Sequence, residues 1–330
     1  MHAFRRAATP AVALAAITCV LATVPAAVVG PATPAVVSGA PAVVSGGPAA
    51  AVVSASPDSA AASAVTTRPR GVHARGAELM DATTGRRLWS RGLNVRRPMA
   101  SITKVMTALV VIRAGNLGRR IRISRAVVRY VLKNDGSSAG LHAGDVLTAW
   151  QLLEGMLVPS GCDAAFALAI AYGPGWRAFV RKMNATAKQL GLASTHFANF
   201  DGLPWPTEHS TYSTPRDLVR LGEAAMKLSA FRRIVRQRDH FIGATAQHHR
   251  YYWRSTNLLL GHYRGLAGIK TGSTDAAGYC LLFEAQRGGN DLIGVVLDSS
   301  TSNPKARFTD TSRLLNWGFG LLHRLGSARR

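Results

Sequence analysis

Cysteine is scarce in this 330-residue chain, which has only Cys19, Cys162 and Cys280. Three such widely spaced thiols cannot make a disulfide framework or a cysteine metal site, and at most one bridge is possible. Acidic residues are scarce too, 17 against 40 Lys and Arg, so the formal charge is +23. Residues 1–67 hold only Arg5, Arg6 and Asp58, which leaves +22 on the remainder. A surface of that sign favours anionic surroundings such as nucleic acid, lipid head groups or cell-wall polyanions. Runs of five or more basic residues and zinc-finger spacings are both missing, so a nucleic-acid partner is not expected. Anionic cell-wall polymers or a membrane surface are left as partners for the charge. What the chain has in quantity is apolar side chains, 47% against 17% charged, enough to bury a sizeable core.

The N-terminal part reads as export machinery. Arg5 and Arg6 precede an uncharged apolar stretch, Ala11 to Val29, with small residues around Ala22 to Ala27 suited to signal-peptidase cleavage. Residues 1–30 are expected to be a signal peptide, or a retained anchor, because about 20 apolar residues span a bilayer. Residues 31–72 are largely Ala, Val, Pro, Ser and Gly, with near-repeats at Pro34 to Gly39 and Pro41 to Gly46. That composition predicts a low-complexity linker. The protein is therefore expected outside the cytoplasm, secreted or anchored at the outer face of the membrane, with one folded domain at 73–325.

Within that domain, Glu78 to Asp81 and Arg87 to Ser90 flank a glycine turn and predict a hairpin. Ile102, Val105, Met106, Leu109 and Ile112 fall at helical spacing, predicting a helix with one buried face that begins at Ser101. Leu147 to Lys227 is mostly helical in pattern, broken at Pro159 and Gly173, with Pro215 opening a helix capped by Ser213 or Thr214. Gly265 to Gly272, Ala277 to Ala285 and Asp291 to Leu297 read as strands, and Pro304 to Leu325 as a closing helix. The sum is an α+β fold, one antiparallel sheet covered by helices with an inserted all-helical lobe, and the groove between the lobes is the expected site.

Three short motifs carry chemistry. Ser101-Ile102-Thr103-Lys104 sets a hydroxyl and an amine three residues apart at a helix start, on nearly the same face. Lysine can activate serine only if its ammonium is destabilised, by about 4 kcal/mol to bring a pKa near 10.4 down to about 7. Alone, the pair reads rather as a helix cap beside a solvated lysine, since S-x-x-K occurs by chance about once in a chain of this size. Ser160-Gly161-Cys162 stands at the break between two helical segments, and Lys270-Thr271-Gly272 lies in a predicted strand 110 residues later. Three motifs in this order, each in its element, match the signature set of penicillin-binding proteins and class A β-lactamases.

The chain resembles the low-molecular-weight penicillin-binding proteins, the serine D-alanyl-D-alanine carboxypeptidase and transpeptidase family. Met80 to Gly85, Arg97 to Ser101, Asp163 to Ala165, Asn199 to Leu203, Ser213 to Leu218, Thr256-Asn257 and Ala277 to Cys280 extend the likeness over about Ala77 to Phe319. The resemblance implies a five-stranded antiparallel sheet, no cofactor and no metal, with peptidoglycan stem peptides, an amino acceptor and β-lactam antibiotics as partners. It implies Ser101 as the acylated nucleophile, Lys104 as general base, Ser160 as proton relay to the leaving D-alanine and Lys270 as the cation keeping that network electropositive. Thr271, with Lys270, would bind the substrate carboxylate, Gly272 would let substrate lie against the strand, and the N–H groups of Ser101 and Ser273 would form the oxyanion hole. The C-terminal β-domain and amphipathic anchor of many carboxypeptidases are not expected.

One residue departs from the pattern. Cys162 stands where the family usually has Asn, and a thiol offers a weak S–H in place of an amide that donates and accepts, so substrate alignment should differ. A subgroup with Ser-Gly-Cys favours acyl transfer over hydrolysis, which implies a leaning to transpeptidation. The plain alternative is that Cys162 is a small buried hydrophobe. Cys280 reads as strand core, and a bridge between the two is not expected. The alternative functions are a serine β-lactamase, disfavoured by Ser-Gly-Cys in place of S-D-N, and a catalytically weak wall-binding protein. His248-His249 show no carboxylate at ligand spacing, and Glu154 is expected to face solvent or cap charge.

Overall fold

The structure is a computed structural model that describes residues 68–327. The expected signal peptide and most of the expected linker lie outside the described residues. Within them the chain is already tied down at Gly71 and Val72, inside the segment read as linker. The Gly71 carbonyl accepts from Arg313, the Val72 carbonyl accepts from Arg91 at 2.8 Å, and the Val72 side chain is buried.

The fold opens with β1 (Gly76–Asp81) and β2 (Arg86–Arg91), the expected hairpin, and a short β3 (Arg97–Pro98). A tight 3₁₀ turn, Ala100–Thr103, carries Ser101 and leads into α1 (Lys104–Ala114), so the helix begins three residues later than the periodicity suggests. Helix α1 is buried at every position from Lys104 to Val111, not along one face, because helices pack all round it. There follow β4 (Arg120–Arg122), α2 (Arg125–Lys133) capped by Ser124, and β5 (Val146–Thr148). Thr148 and Gln151 form a reciprocal capping box on α3 (Ala149–Leu157). Next come α4 (Cys162–Tyr172), α5 (Trp176–Gln189), β6 (Tyr212–Ser213) and α6 (Pro215–Met226), in whose first turn the Asp217 N–H donates to the Thr214 hydroxyl. Helix α7 (Ser229–Val235), a hairpin of β7 (Asp239–Ile242) and β8 (Tyr251–Arg254), the long strands β9 (Leu266–Thr274), β10 (Gly278–Arg287) and β11 (Asn290–Leu297), and α8 (Ala306–Ser327) complete the chain.

The main sheet has the order β2-β1-β11-β10-β9, antiparallel throughout the pairs β2–β1, β1–β11, β11–β10 and β10–β9. Its central strands are buried on both faces, which is why they read as unbroken apolar runs. Leu281, Phe283, Leu292 and Val296 pack against α8 through Phe308, Leu315 and Phe319, whereas Leu282, Ile293 and Val295 join the larger core shared with the helices. Strand β9 is the edge of this sheet, and one side of its backbone is left facing the helical lobe. Cys162 and Cys280 are both buried free thiols with no bridge between them, and burial pushes Cys280 up to about 12.

Candidate active site

The position of Ser101 is set by backbone as much as by side chain. Ala100 has φ +47°, a left-handed conformation, and turns the chain so that Ser101 meets the edge strand. Gly272 in β9 lies against this turn: a Cβ there would sit 2.7 Å from the Met99 carbonyl and 3.2 Å from the Ser101 nitrogen. The glycine expected to make room for substrate therefore makes room for the turn that bears the serine. Across the turn Gly202 plays a matching part, since a Cβ there would meet the Ala100 carbonyl oxygen at 1.9 Å.

Lys104 is fully buried, and its Nζ reaches Ser101 Oγ at 2.8 Å, the Asp201 carbonyl at 3.0 Å and Cys162 Sγ at 3.3 Å. An uncharged amine can satisfy this set, with two N–H groups donating to the carbonyl and the sulfur and its lone pair accepting from the serine hydroxyl. The expected serine–lysine pair thus meets in one place. Cys162 does not face substrate as anticipated. It is buried behind Lys104, its Sγ also 3.7 Å from Ser137 Oγ, and burial outweighs the Lys104 cation to push its thiol up to about 11. The cysteine stays a neutral thiol in contact with the lysine.

A cavity of about 280 Å³ opens over Ser101 and is lined also by Ser160, Thr271, Gly272 and Ser273, so the three motifs converge on one cleft. Ser160 has φ +70°, a conformation costly for a serine, by about 1–3 kcal/mol, and held by the break between α3 and α4. Lys270 lies beside the cleft rather than in its wall: it is buried, with its Nζ donating to the Thr271 carbonyl at 3.0 Å. Burial, joined by the nearby Lys104 and Arg307 cations, pushes its ammonium well below the ordinary lysine range. Thr271 Oγ1 is 2.6 Å from Thr256 Oγ1, which explains the Thr256 landmark.

Several cleft residues escape a reading by motif. Arg307, at the start of α8, donates from Nη1 to the Gly272 carbonyl at 3.2 Å, while its buried Nε has no partner. Asp135 and Ser137 come from the loop after α2. Asp201 is buried, and desolvation raises its carboxyl despite the opposing pull of Lys104. It accepts from Tyr130 Oη at 2.7 Å, and Trp205 Nε1 donates to that phenol at 2.9 Å. Asn199 holds the Asp201 loop by accepting from the Gly202 N–H at 2.7 Å and donating to the Leu203 and Trp205 carbonyls. Tyr130 and Trp205 also line a separate apolar cavity of about 740 Å³, too poor in polar groups for the chemistry at Ser101.

Two expectations about charged groups need correction. Glu154 does not face solvent: it is 3% exposed, accepts from Gln237 at 3.1 Å and pairs with His240 at 3.0 Å. His249 does meet a carboxylate, Asp145, at 2.9 Å. The pairing was invisible in the local sequence because the two residues stand 104 positions apart.

Comparison with known proteins gives this geometry a context. Residues 62–301 match the family model described as D-alanyl-D-alanine carboxypeptidase. A D-alanyl-D-alanine carboxypeptidase of Streptomyces sp. is 41% identical over 283 residues, covering 82% of this chain and 95% of the relative. DacF of Bacillus subtilis, another D-alanyl-D-alanine carboxypeptidase, is 32% identical over 74% of this chain, which spans only 62% of that longer protein. Among solved structures, a Streptomyces DD-transpeptidase superposes with a TM-score of 0.72 at 40% identity, over 77% of this chain and 99% of the other. A carboxypeptidase from Mycobacterium tuberculosis gives 0.69 at 31% identity, over 77% and 96%.

Proposed function

The chain belongs to the D-alanyl-D-alanine carboxypeptidase family and is a serine-type D-Ala-D-Ala peptidase, and we propose that it passes the acyl group to an amino acceptor in preference to water. The observation that carries the chemistry is the 2.8 Å contact of Lys104 Nζ with Ser101 Oγ inside a cleft edged by Lys270-Thr271-Gly272.

The stem peptide lies along the free edge of β9, pairing its backbone with the strand as an added strand would. Its terminal carboxylate is gripped by Thr271 together with the guanidinium of Arg307, a cation in the lining of the cleft where the buried Lys270 is not. Ser101 Oγ attacks the carbonyl of the penultimate D-alanine as Lys104 takes its proton, and the N–H groups of Ser101 and Ser273 hold the developing oxyanion. The proton returns through Ser160 to the nitrogen of the departing D-alanine, leaving an ester on Ser101. An amine then attacks that ester, Lys104 accepts its proton and returns it to Ser101 Oγ as the ester bond breaks, and the acyl group leaves as a new amide. Penicillin enters the same path, and its ring-opened acyl group stays on Ser101.

The preference for transfer rests on Cys162 and on likeness to a Streptomyces protein called a DD-transpeptidase. A buried neutral thiol beside the general base offers little to orient a hydrolytic water. The reaction belongs outside the cytoplasmic membrane, where the substrate is, and the basic surface favours retention by anionic wall polymers or lipid, weakening with salt. Among the described residues no helix is long and apolar enough to cross a membrane. The preference is tested by incubating the protein with a diacyl-D-Ala-D-Ala substrate and glycine and separating the products. Transfer product should exceed free acid, and a majority of hydrolysis overturns the preference.

A further inference from the structure

His142, Asp145 and His249 bring two imidazoles and a carboxylate together on the helical lobe, outside every motif of the cleft. Each offers one ligand atom, and these atoms all lie within 4.8 Å of one another. We propose that this His-Asp-His cluster binds a divalent transition-metal ion, with zinc as the fitting chemistry, and clasps the β7–β8 loop to the loop that forms one wall of the cleft.

The carboxylate is fixed before any ion arrives. Asp145 is 5% exposed, accepts from the His249 N–H at 3.1 Å and accepts from the Tyr251 hydroxyl in a short bond. The Tyr251 oxygen in turn accepts from the His142 N–H at 3.2 Å. Such partners orient a first ligand as the outer shell of a metal site does. Main-chain pairing of Val146 N–H with the Gln247 carbonyl at 2.9 Å brings the two loops into register. The two imidazoles lie face to face at the surface, ring centroids 4.2 Å apart and planes 31° from parallel. Both histidines are exposed, so an ion has a path in and the rings have room to turn.

Zinc needs donors about 2.0–2.2 Å from the metal, hence about 3.3 Å from each other in a tetrahedron. His249 Nδ1 and Asp145 Oδ1 are at 2.9 Å, so rotation of one exposed histidine closes the remaining gap. Two nitrogens and one carboxylate oxygen select zinc, nickel or copper over calcium or magnesium, which prefer all-oxygen cages. A water or the adjacent Tyr251 oxygen completes the coordination. The site is stapled to the cleft through covalent chain: the 134–145 segment supplies Asp135 and Ser137 to the cavity wall. Its middle is held to α4 by Asp163, which accepts from Ser138 Oγ at 2.7 Å and Ala139 N at 2.9 Å.

The test is a zinc titration of the chain without a polyhistidine tag, in competition with a chromogenic chelator, and a parallel cobalt titration followed by visible absorption. One equivalent of zinc should bind, and cobalt should show the intense bands of four- or five-coordinate geometry. His249→Ala and His142→Ala each remove an exposed ring and should weaken zinc by about tenfold or more, with Asp145→Asn weakening it further. Folding of each variant is checked by circular dichroism, and the two histidine variants answer the question should Asp145→Asn fail to fold. Absence of a stoichiometric site, or zinc binding unchanged in both histidine variants, overturns the proposal and leaves His249 and Asp145 as an ion pair. The Ser101 chemistry stands or falls separately from this result.

Discussion

The two walls of the cleft are made of different material. The sheet wall is the edge of β9, regular and long, with Thr271, Gly272 and Ser273 at set positions along one strand and only Arg307 and Thr256 added from outside. The helical wall is assembled from loops and helix ends, Asp135 and Ser137 after α2, Ser160 at the α3–α4 break, Gly202 and Leu203 after α5. A strand edge presents evenly spaced backbone groups and suits the grip on an extended peptide. Loops can adopt costly conformations such as φ +70° at Ser160 and so can aim individual side chains at a reacting atom. The division predicts that changes in the helical wall and its floor slow acylation, whereas changes in the sheet wall weaken substrate binding.

The largest effect should come from Lys104→Ala, which removes the proposed base while leaving the strand intact. Acylation by penicillin should slow by roughly 10³-fold, measured as the second-order rate of labelling, with the protein still folded. A rate within tenfold of the parent would show that another group takes the serine proton.

Gly272→Ala tries to break the comparison, because it alters the sheet wall yet should behave as a change in the floor. Its new Cβ meets backbone, the Met99 carbonyl at 2.7 Å, and backbone cannot swing aside. The Ser101 turn must shift, and acylation should fall by about 100-fold with KM for peptide changed less. A rise in KM alone would return Gly272 to the substrate-contact role first expected of it.

Arg307→Gln sharpens the sheet-wall half. Loss of the guanidinium should raise KM for a D-Ala-D-Ala peptide by about 10–100-fold, the worth of a charge-assisted hydrogen bond, with a smaller change in kcat. An unaltered KM, with the effect confined to kcat, would remove Arg307 from carboxylate recognition.

The smallest effect lies off both walls. Burial, with the neighbouring Asp291 carboxylate, raises Glu284 on β10 from its ordinary value near 4.5 to about 7. The folded state therefore binds its proton more tightly than the unfolded state. Its contribution is fully present below about pH 4.5 and is lost as pH rises through about 7. Glu284→Gln should abolish that part of the decline, on the order of 2 kcal/mol in urea unfolding between those limits, without altering acylation. Parallel pH profiles for parent and variant would contradict it.

Legibility in the sequence followed the same division. The sheet strands were readable because both faces are apolar, and the helix at Pro215 because Thr214 and Pro215 mark its start by local chemistry. Ser101, Lys104, Ser160 and Thr271 stood in recognisable motifs, and the fold brings them to one cleft. Tyr130 and Arg307 could not be found that way, because each reaches the site through tertiary contacts across long sequence separations, and the landmark Asn199 to Leu203 gave no sign that the Asp201 carbonyl meets Lys104, 97 positions away. The Asp145–His249 pair was missed for the same reason. Of the two readings of Cys162, a substrate contact or a small buried residue, the fold buries it against Lys104, and the space that Gly272 leaves by lacking a Cβ is filled by the Ser101 turn. The all-round burial of α1 was underestimated because Lys104 and Thr107 interrupt its apolar pattern while being as buried as their neighbours.

The account depends on Ser101 being the group that Lys104 activates. Incubating the protein with penicillin and following its intact mass over hours, beside Ser101→Ala, tests this most directly. A single long-lived adduct of one penicillin, mapped to the peptide containing Ser101 and missing from the variant, is the predicted result. An equal adduct on Ser101→Ala, or none on the parent, would contradict it, and rapid loss of the adduct with turnover of the drug would make the protein a β-lactamase instead.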